Sequence, residues 1–288
     1  MNYMRRLEKL KSKTIKRYLS ENFNYFVDSI TDEAVRKLVR KNSIITGGSI
    51  VSLLLNEKVN DYDIYFTNKE TTKKVAEYFV KQFNNINNYN SDDIQVKEDE
   101  KTGRISIFCR SSGIAIGNNI SKDATKYIPV FLSTNAITLT NDIQLILRFY
   151  GEPEEIHKNY DFIHATNYWT SKDNKLVLKP KALECILTKE LLYNGSKYPL
   201  CSIIRTKKFI RRGWTINAGQ YVKMALQLNE LDLTDPAVLE EQLTGVDSAY
   251  FTLFLRWFKD NKQNIPEKDY VPYLTTVIDR IFDGEFDE

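Results

Sequence analysis

Gly47-Gly48-Ser49-Ile50-Val51-Ser52-Leu53-Leu54-Leu55, closely followed by Asp61-Tyr62-Asp63-Ile64-Tyr65-Phe66, is the stretch on which the fold turns. Two glycines ahead of a short apolar run let the backbone approach an anion, and the open N–H groups of a helix start, with the Ser49 hydroxyl, can hold a triphosphate. In an extended segment residues two apart share a face, so Asp61 and Asp63 present both carboxylates to one side while Tyr62 and Ile64 turn to the other. Two carboxylates so placed repel unless a cation lies between them, and hard oxygen ligands of this kind suit Mg²⁺ bound together with substrate phosphates. Either motif alone is common and reads as an ordinary helix start or a solvated strand edge. Glycine turn, one short helix and a strand opening on two same-face acids together point to nucleotide chemistry.

Outward from this stretch, Arg5 to Leu19 and Asp32 to Val39 carry apolar residues at helical spacing, Ile44 to Thr46 enters the turn, and Ile50 to Leu55 is the first helix of the site. Asp63 to Thr67 reads as a strand and Thr71 to Phe83 as an amphipathic helix. Asn84 to Gly103 reads as a polar loop around at most one strand. Arg104 to Arg110 and Tyr127 to Thr138 read as strands, Asn141 to Tyr150 as helical, and Tyr160 to Trp169 as extended. Beyond Lys179 the pattern is wholly helical: Pro180 to Tyr193, Leu200 to Arg212, Ala218 to Leu228, Pro236 to Gln242, Asp247 to Lys259 and Tyr270 to Phe282. The expected fold class is α+β, a head with a mixed sheet followed by an all-α C-terminal domain. The expected divisions are a helical lead-in at 1–30, the head at 31–170 and a helical neck and tail at 171–288.

At 288 residues the chain can bury a sizeable core, and 41 basic against 38 acidic residues leave a net charge of +3, so any nucleic-acid partner must be met by local patches. Three cysteines, Cys109, Cys185 and Cys201, form no Cys-x-x-Cys pair, which argues against a disulfide framework and a zinc ribbon and for a reducing compartment. The basic stretch from Met1 to Tyr18 has no apolar core of a signal peptide, and no apolar run reaches about eighteen residues. A cytoplasmic protein without a membrane partner is expected. Abundant Asn, Lys, Ile and Tyr fit an AT-rich genome, bacterial or phage.

Three stretches resemble one family. The opening motif Gly-Gly-x-Val-Arg-Asp-x-Leu-Leu with its Asp-x-Asp matches Gly47 to Asp63 without a gap. Arg-Arg-Asp-Phe-Thr-x-Asn-Ala is echoed by Asn159-Tyr160-Asp161-Phe162-Ile163-His164-Ala165-Thr166-Asn167. Arg-Ala-x-Arg-Phe-(x)-Gly-Phe-x-Ile is echoed by Arg205-Thr206-Lys207-Lys208-Phe209-Ile210-Arg211-Arg212-Gly213-Trp214-Thr215-Ile216. In this order and spacing the chain, over roughly residues 43 to 220, resembles the nucleotidyltransferase superfamily of DNA polymerase beta, and within it the bacterial-type CCA-adding enzymes and poly(A) polymerases. The family's Arg-Asp in the first helix is Val51-Ser52 here, its two arginines before the second-motif aspartate are Asn159 and Tyr160, and its base-selecting Glu-Asp-x-x-Arg should fall near Lys197 to Cys201, where the acids are absent.

The resemblance implies a polymerase-beta-type head that transfers NMP from an NTP to an acceptor hydroxyl with loss of pyrophosphate. The acceptor it implies is an RNA 3′ end, tRNA among them. Asp61 and Asp63 would bind Mg²⁺, two ions in all, and Gly47, Gly48 and Ser49 the triphosphate. Asp161 would act as sugar contact, base or metal ligand, while Arg205 and Lys208 would face the nucleotide and Arg211 and Arg212 an RNA backbone. Lys175, Lys179 and Lys181 extend this basic character toward the junction of head and tail. Trp214 reads either as a stacking platform or as a plug closing its helix. His157 and His164, the only histidines, are expected to serve packing. Two alternatives stand beside this reading: transfer to a protein or a small molecule, and a catalytically silent RNA-binding or interaction protein that keeps the fold. Oligomeric state is left open by the sequence.

Overall fold

In a computed structural model of the protein, the described residues are 2–89, 93–108, 113–115 and 127–243, with isolated positions beyond; side chains are described from residue 12 onward. The chain divides into Met1–Thr188 and Lys189–Glu288.

The first unit opens with α1 (Asn2–Ser29) and α2 (Glu33–Asn42). Asp32 caps α2 by accepting from the Val35 amide at 3.0 Å. Without an intervening loop α2 passes into β1 (Ser43–Thr46), and then come α3 (Gly48–Leu55), β2 (Tyr62–Phe66) and α4 (Lys69–Asn87), whose Asn68 cap accepts from the Thr71 amide. Next are β3 (Gln95–Glu98), β4 (Ile105–Phe108), β5 (Gly113–Ala115), β6 (Pro129–Ser133), β7 (Ala136–Leu139) and β8 (Ile143–Tyr150). The short α5 (Pro153–His157), a 3-10 turn at Ile163–Ala165, β9 (Tyr168–Thr170), β10 (Lys175–Val177) and α6 (Pro180–Thr188) complete it.

Among the described residues β3 and β4 form a two-stranded sheet and the other eight strands a mixed sheet, ordered β10-β9-β1-β2-β8-β7-β6-β5. Only β2 and β8 pair in parallel there; every other neighbour is antiparallel. The sequence alternates accordingly. Tyr62, Ile64 and Phe66 turn into the main core, which holds Leu19, Phe23, Phe26 and Val27 of α1 and Val75, Phe79 and Phe83 of α4. Asp61, Asp63 and Tyr65 take the opposite face, where Tyr65 joins Ile44 and Ile156.

The α+β architecture, a mixed sheet followed by a helical C-terminal region, is the one the sequence led us to expect. Four local readings differ. Asn141 to Tyr150 is not helical: Ile143, Leu145 and Leu147 are buried at every second position, and Asn141 and Asp142, both left-handed at φ 61° and 58°, turn the chain from β7 into a central strand. Tyr127 to Thr138 holds two strands, because Ser133 accepts from the Ala136 amide and folds β6 back onto β7. The extended segment at 160–169 is interrupted by the 3-10 turn. The helix expected to reach Tyr193 stops at Thr188, where Lys189 turns left-handed at φ 51° and Glu190 bridges to Thr215. The expected divisions at 30 and 170 also separate what packs together. Phe23, Phe26 and Val27 of α1 are core residues, β9 and β10 belong to the sheet, and the division falls after Thr188.

The second unit contains α7 (Pro199–Arg211), α8 (Ala218–Leu228) and α9 (Pro236–Gln242). Buried polar links tie it: the Tyr193 amide donates to Gln220 Oε1 at 3.0 Å, and Gln242 Nε2 donates to the Lys197 carbonyl at 3.0 Å. The helices expected at 247–259 and 270–282 lie almost wholly outside the described residues, as does Cys109. Cys185 and Cys201 are buried and in no disulfide.

Candidate functional site

The turn at the C-terminal end of β1 builds a cradle. Gly47 sits at φ 90°, and its amide donates to the Ala165 carbonyl at 3.2 Å, fixing the turn to the chain after the 3-10 turn's start. A Cβ on Gly47 would lie 3.4 Å from Asp63 Oδ2 and 3.4 Å from the Tyr160 hydroxyl, so glycine here answers both the backbone angle and the close approach of a carboxylate. A Cβ on Gly48, the first residue of α3, would meet nothing within 4 Å, so the front of the helix N-terminus is open. Just inside it the Ser49 hydroxyl is buried and has no hydrogen-bond partner. A buried, unmatched hydroxyl at the positive end of a helix has the chemistry to meet a phosphate oxygen. Asp61 is exposed at the mouth of β2 and Asp63 half-buried beside Gly47 on the same face. Beside the parallel neighbour β8, Asp63 is in register with Gln144, and no group of three or more His, Cys, Asp or Glu able to hold a metal occurs among the described residues. Two carboxylates with an adjoining open helix start fit a cation that takes its remaining ligands from phosphates and water.

Asp161 is buried one residue past Tyr160, on the same connection that closes over Gly47. Tyr160 is a site residue that sequence reasoning treated only as a departure. The residue is half-buried with its hydroxyl buried, and burial first, then Tyr65 and Asp63, hold that hydroxyl well above the usual phenol range. A neutral phenol thus abuts Asp63 where the resembled motif has an arginine.

Behind the cradle runs a second line of groups. The Lys179 ammonium donates to His157 Nδ1 at 3.2 Å, which puts the imidazole proton on Nε2. Nε2 donates to Thr46 Oγ1 at 2.9 Å, and Thr46 donates to the Asn167 carbonyl at 2.8 Å. Thr46 immediately precedes Gly47, so His157 braces the cradle from below. Burial, reinforced by the Lys179 charge, brings His157 down to about 3. His157 therefore does more than fill space, and the signal that could have found it is its place four residues ahead of Asp161 on the same returning loop.

Arg205, Lys208 and Arg211 lie on α7 and Arg212 caps it, all in the second unit; Lys208, Arg211 and Arg212 are exposed and Arg205 is half-buried. Trp214 closes that helix. Gly213 turns left-handed at φ 79°, the Trp214 amide donates to the Phe209 carbonyl, and the buried indole packs edge-on against Phe209.

The sequence model of the Gabija anti-defense 2 family protein matches residues 17–189, close to the first unit's extent. A curated relative, Gabija anti-defense 2 of Bacillus phage SPbetaL7, is 24% identical over 258 residues, which are 89% of this chain and 52% of the relative. The chain thus spans about half the length of the curated relative it matches. Among solved structures, the Thermotoga maritima CCA-adding enzyme complexed with tRNA aligns at TM-score 0.40 and 11% identity, over 92% of this chain and 56% of that one. A tRNA-processing enzyme with CTP aligns at TM-score 0.40 and 15% identity, over 88% and 59%.

Proposed function

The chain belongs to the Gabija anti-defense 2 family, and from that premise we propose that it serves a phage against Gabija defence as a metal-dependent nucleotidyltransferase. The observation that carries the reading is the cradle: Gly47 held against Asp63 Oδ2, and the buried Ser49 hydroxyl left unmatched at the open start of α3. The amides of this turn and the Ser49 hydroxyl donate to the triphosphate oxygens of an NTP. Asp61 and Asp63 hold Mg²⁺, two ions with the substrate, which supplies charge neutralisation on the triphosphate and the leaving pyrophosphate. An acceptor hydroxyl oxygen bonds to the α-phosphorus, the α–β phosphoanhydride bond breaks, pyrophosphate leaves, and the hydroxyl proton passes to solvent. Asp161 positions the sugar or the acceptor. Arg205 and Lys208 serve the nucleotide, and Arg211 and Arg212 an RNA strand, if the second unit meets the substrate as the resemblance implies.

The acceptor is a hydroxyl of an RNA 3′ end, tRNA among them, or of a protein or small molecule of the defence pathway; the family's name favours a target within that pathway. A second reading, an interaction protein that keeps the fold without turnover, is favoured by Val51-Ser52 and Tyr160 standing where the resembled motifs carry charged residues.

The test is incubation with Mg²⁺ and each α-labelled NTP together with RNA and lysate of cells bearing the defence, for wild type and Asp61→Ala/Asp63→Ala. Label in RNA, protein or a small product from wild type alone supports the transferase and names the acceptor. No label from either protein refutes turnover.

A further inference from the structure

At the other end of β1 from the cradle lies a second concave feature, a cleft of about 480 Å³ between α1, α2 and the β9–β10 turn. Lys37, Arg40 and Lys41 line one wall, and Lys172 stands on the β9–β10 turn. No carboxylate lines it. Three of the four cations of α2 are exposed, with Arg40 and Lys41 three and four residues beyond Lys37, which keeps them on one helix face while Val35 and Val39 are buried. Arg40 meets Asp28 at 2.7 Å and Lys37 meets Glu33 at 2.8 Å, but all four side chains are more than half exposed, a setting in which such pairs are weak and give way to a better anion. Among the described residues no ion pair engages Lys41 or Lys172.

We infer that this cleft binds the phosphodiester backbone of a nucleic-acid strand. Convergent cations with no carboxylate in the cleft lining, two of them held only in exposed pairs, select an anion, and planar or multiply charged oxyanions suit a wall carrying both Lys and Arg. The polar lining, Asn24 and Asn174 included, adds neutral groups able to meet phosphate or sugar oxygens. The aromatic floor, Phe23 and Trp169, is only 2% exposed at each residue, so no ring face is available to stack a base. That favours a strand read through its phosphates over a free nucleotide read through its base. Ser171 is hydrogen-bonded to Ser43 at the start of β1, whereas Gly47 follows its end. At about 3.3 Å per residue the strand separates the two places by roughly 13 Å. The cleft is therefore a site of its own, and its binding does not rest on the transferase reading.

The test is fluorescence anisotropy of a labelled single-stranded oligonucleotide, RNA or DNA, titrated with the full chain in EDTA, so that the metal-dependent cradle is silent. The variants are Lys41→Glu/Lys172→Glu and, for comparison, Arg211→Glu/Arg212→Glu. Four neutralised phosphates predict a slope of log affinity against log salt of about −3, a loss of about 60-fold from 50 to 200 mM salt. The Lys41→Glu/Lys172→Glu protein, with an unchanged melting temperature, should bind at least about tenfold more weakly and with a shallower slope. No strand binding by wild type, or undiminished affinity in that variant, overturns the inference. Displacement of the strand by millimolar free NTP, lost in the same variant, would reassign the cleft to mononucleotides and overturn it as stated.

Discussion

At Gly47 the backbone angle and the neighbouring carboxylate act on one atom. A Cβ there is strained at φ 90° and would fill the space against Asp63 and the Tyr160 hydroxyl, 3.4 Å from each, so Gly47→Ala should cost about 1–3 kcal/mol in denaturant unfolding and weaken Mg²⁺-dependent NTP binding out of proportion to that loss. Ser49→Ala removes an unmatched buried hydroxyl and should leave folding nearly unchanged or slightly improved, while weakening NTP binding about tenfold, measured by calorimetry. His157 makes a pH prediction. Its folded value of about 3 lies below the ordinary 6.5, so between those values the unfolded chain takes up a proton that the folded chain refuses. Its contribution is whole above pH 6.5 and is lost as pH falls toward 3, by up to about 1.4 kcal/mol per pH unit. His157→Gln should flatten the pH dependence of the melting temperature in that window; equal slopes in both proteins would remove His157 from the account.

Among the elements, β8 is the sharpest lesson. Asn141-Asp142 ahead of Ile-Gln-Leu-Ile-Leu-Arg-Phe-Tyr offers a helix start followed by apolar residues at three- and four-residue steps, yet the same residues alternate at a period of two. Tertiary context decides: β2 needs a parallel partner, and Leu145 supplies a side chain with no exposure at the centre of the sheet. Leu145→Ala should therefore destabilise by about 2–5 kcal/mol, read from chemical unfolding, a core-strand cost that a solvent-facing helix position would not show. By contrast α3, β2, α8 and α9 were legible because glycine, paired acids or proline mark their starts within a few residues. The acid pair and the glycine turn were legible for the same reason. Tyr160, His157 and Lys179 were not, because they reach the cradle only through a returning loop that brings residues more than a hundred positions apart into contact, as His157 with Thr46.

Over the whole molecule a net charge of +3 hides an uneven distribution. The cradle presents two carboxylates beside an open helix start, and the far end of the same strand presents four cations. Family membership adds the biological frame, and the proposed nucleotidyl transfer makes the paired aspartates the residues on which its action there would turn. The decisive comparison is phage propagation on a bacterial host carrying Gabija, with the phage or host supplying either wild type or Asp61→Ala/Asp63→Ala at equal soluble levels. Wild type should restore plaque formation by orders of magnitude, and the double variant, folded and as abundant, should restore none. Equal rescue by both proteins would contradict the transferase reading and leave the chain as an interaction protein built on a transferase-like head.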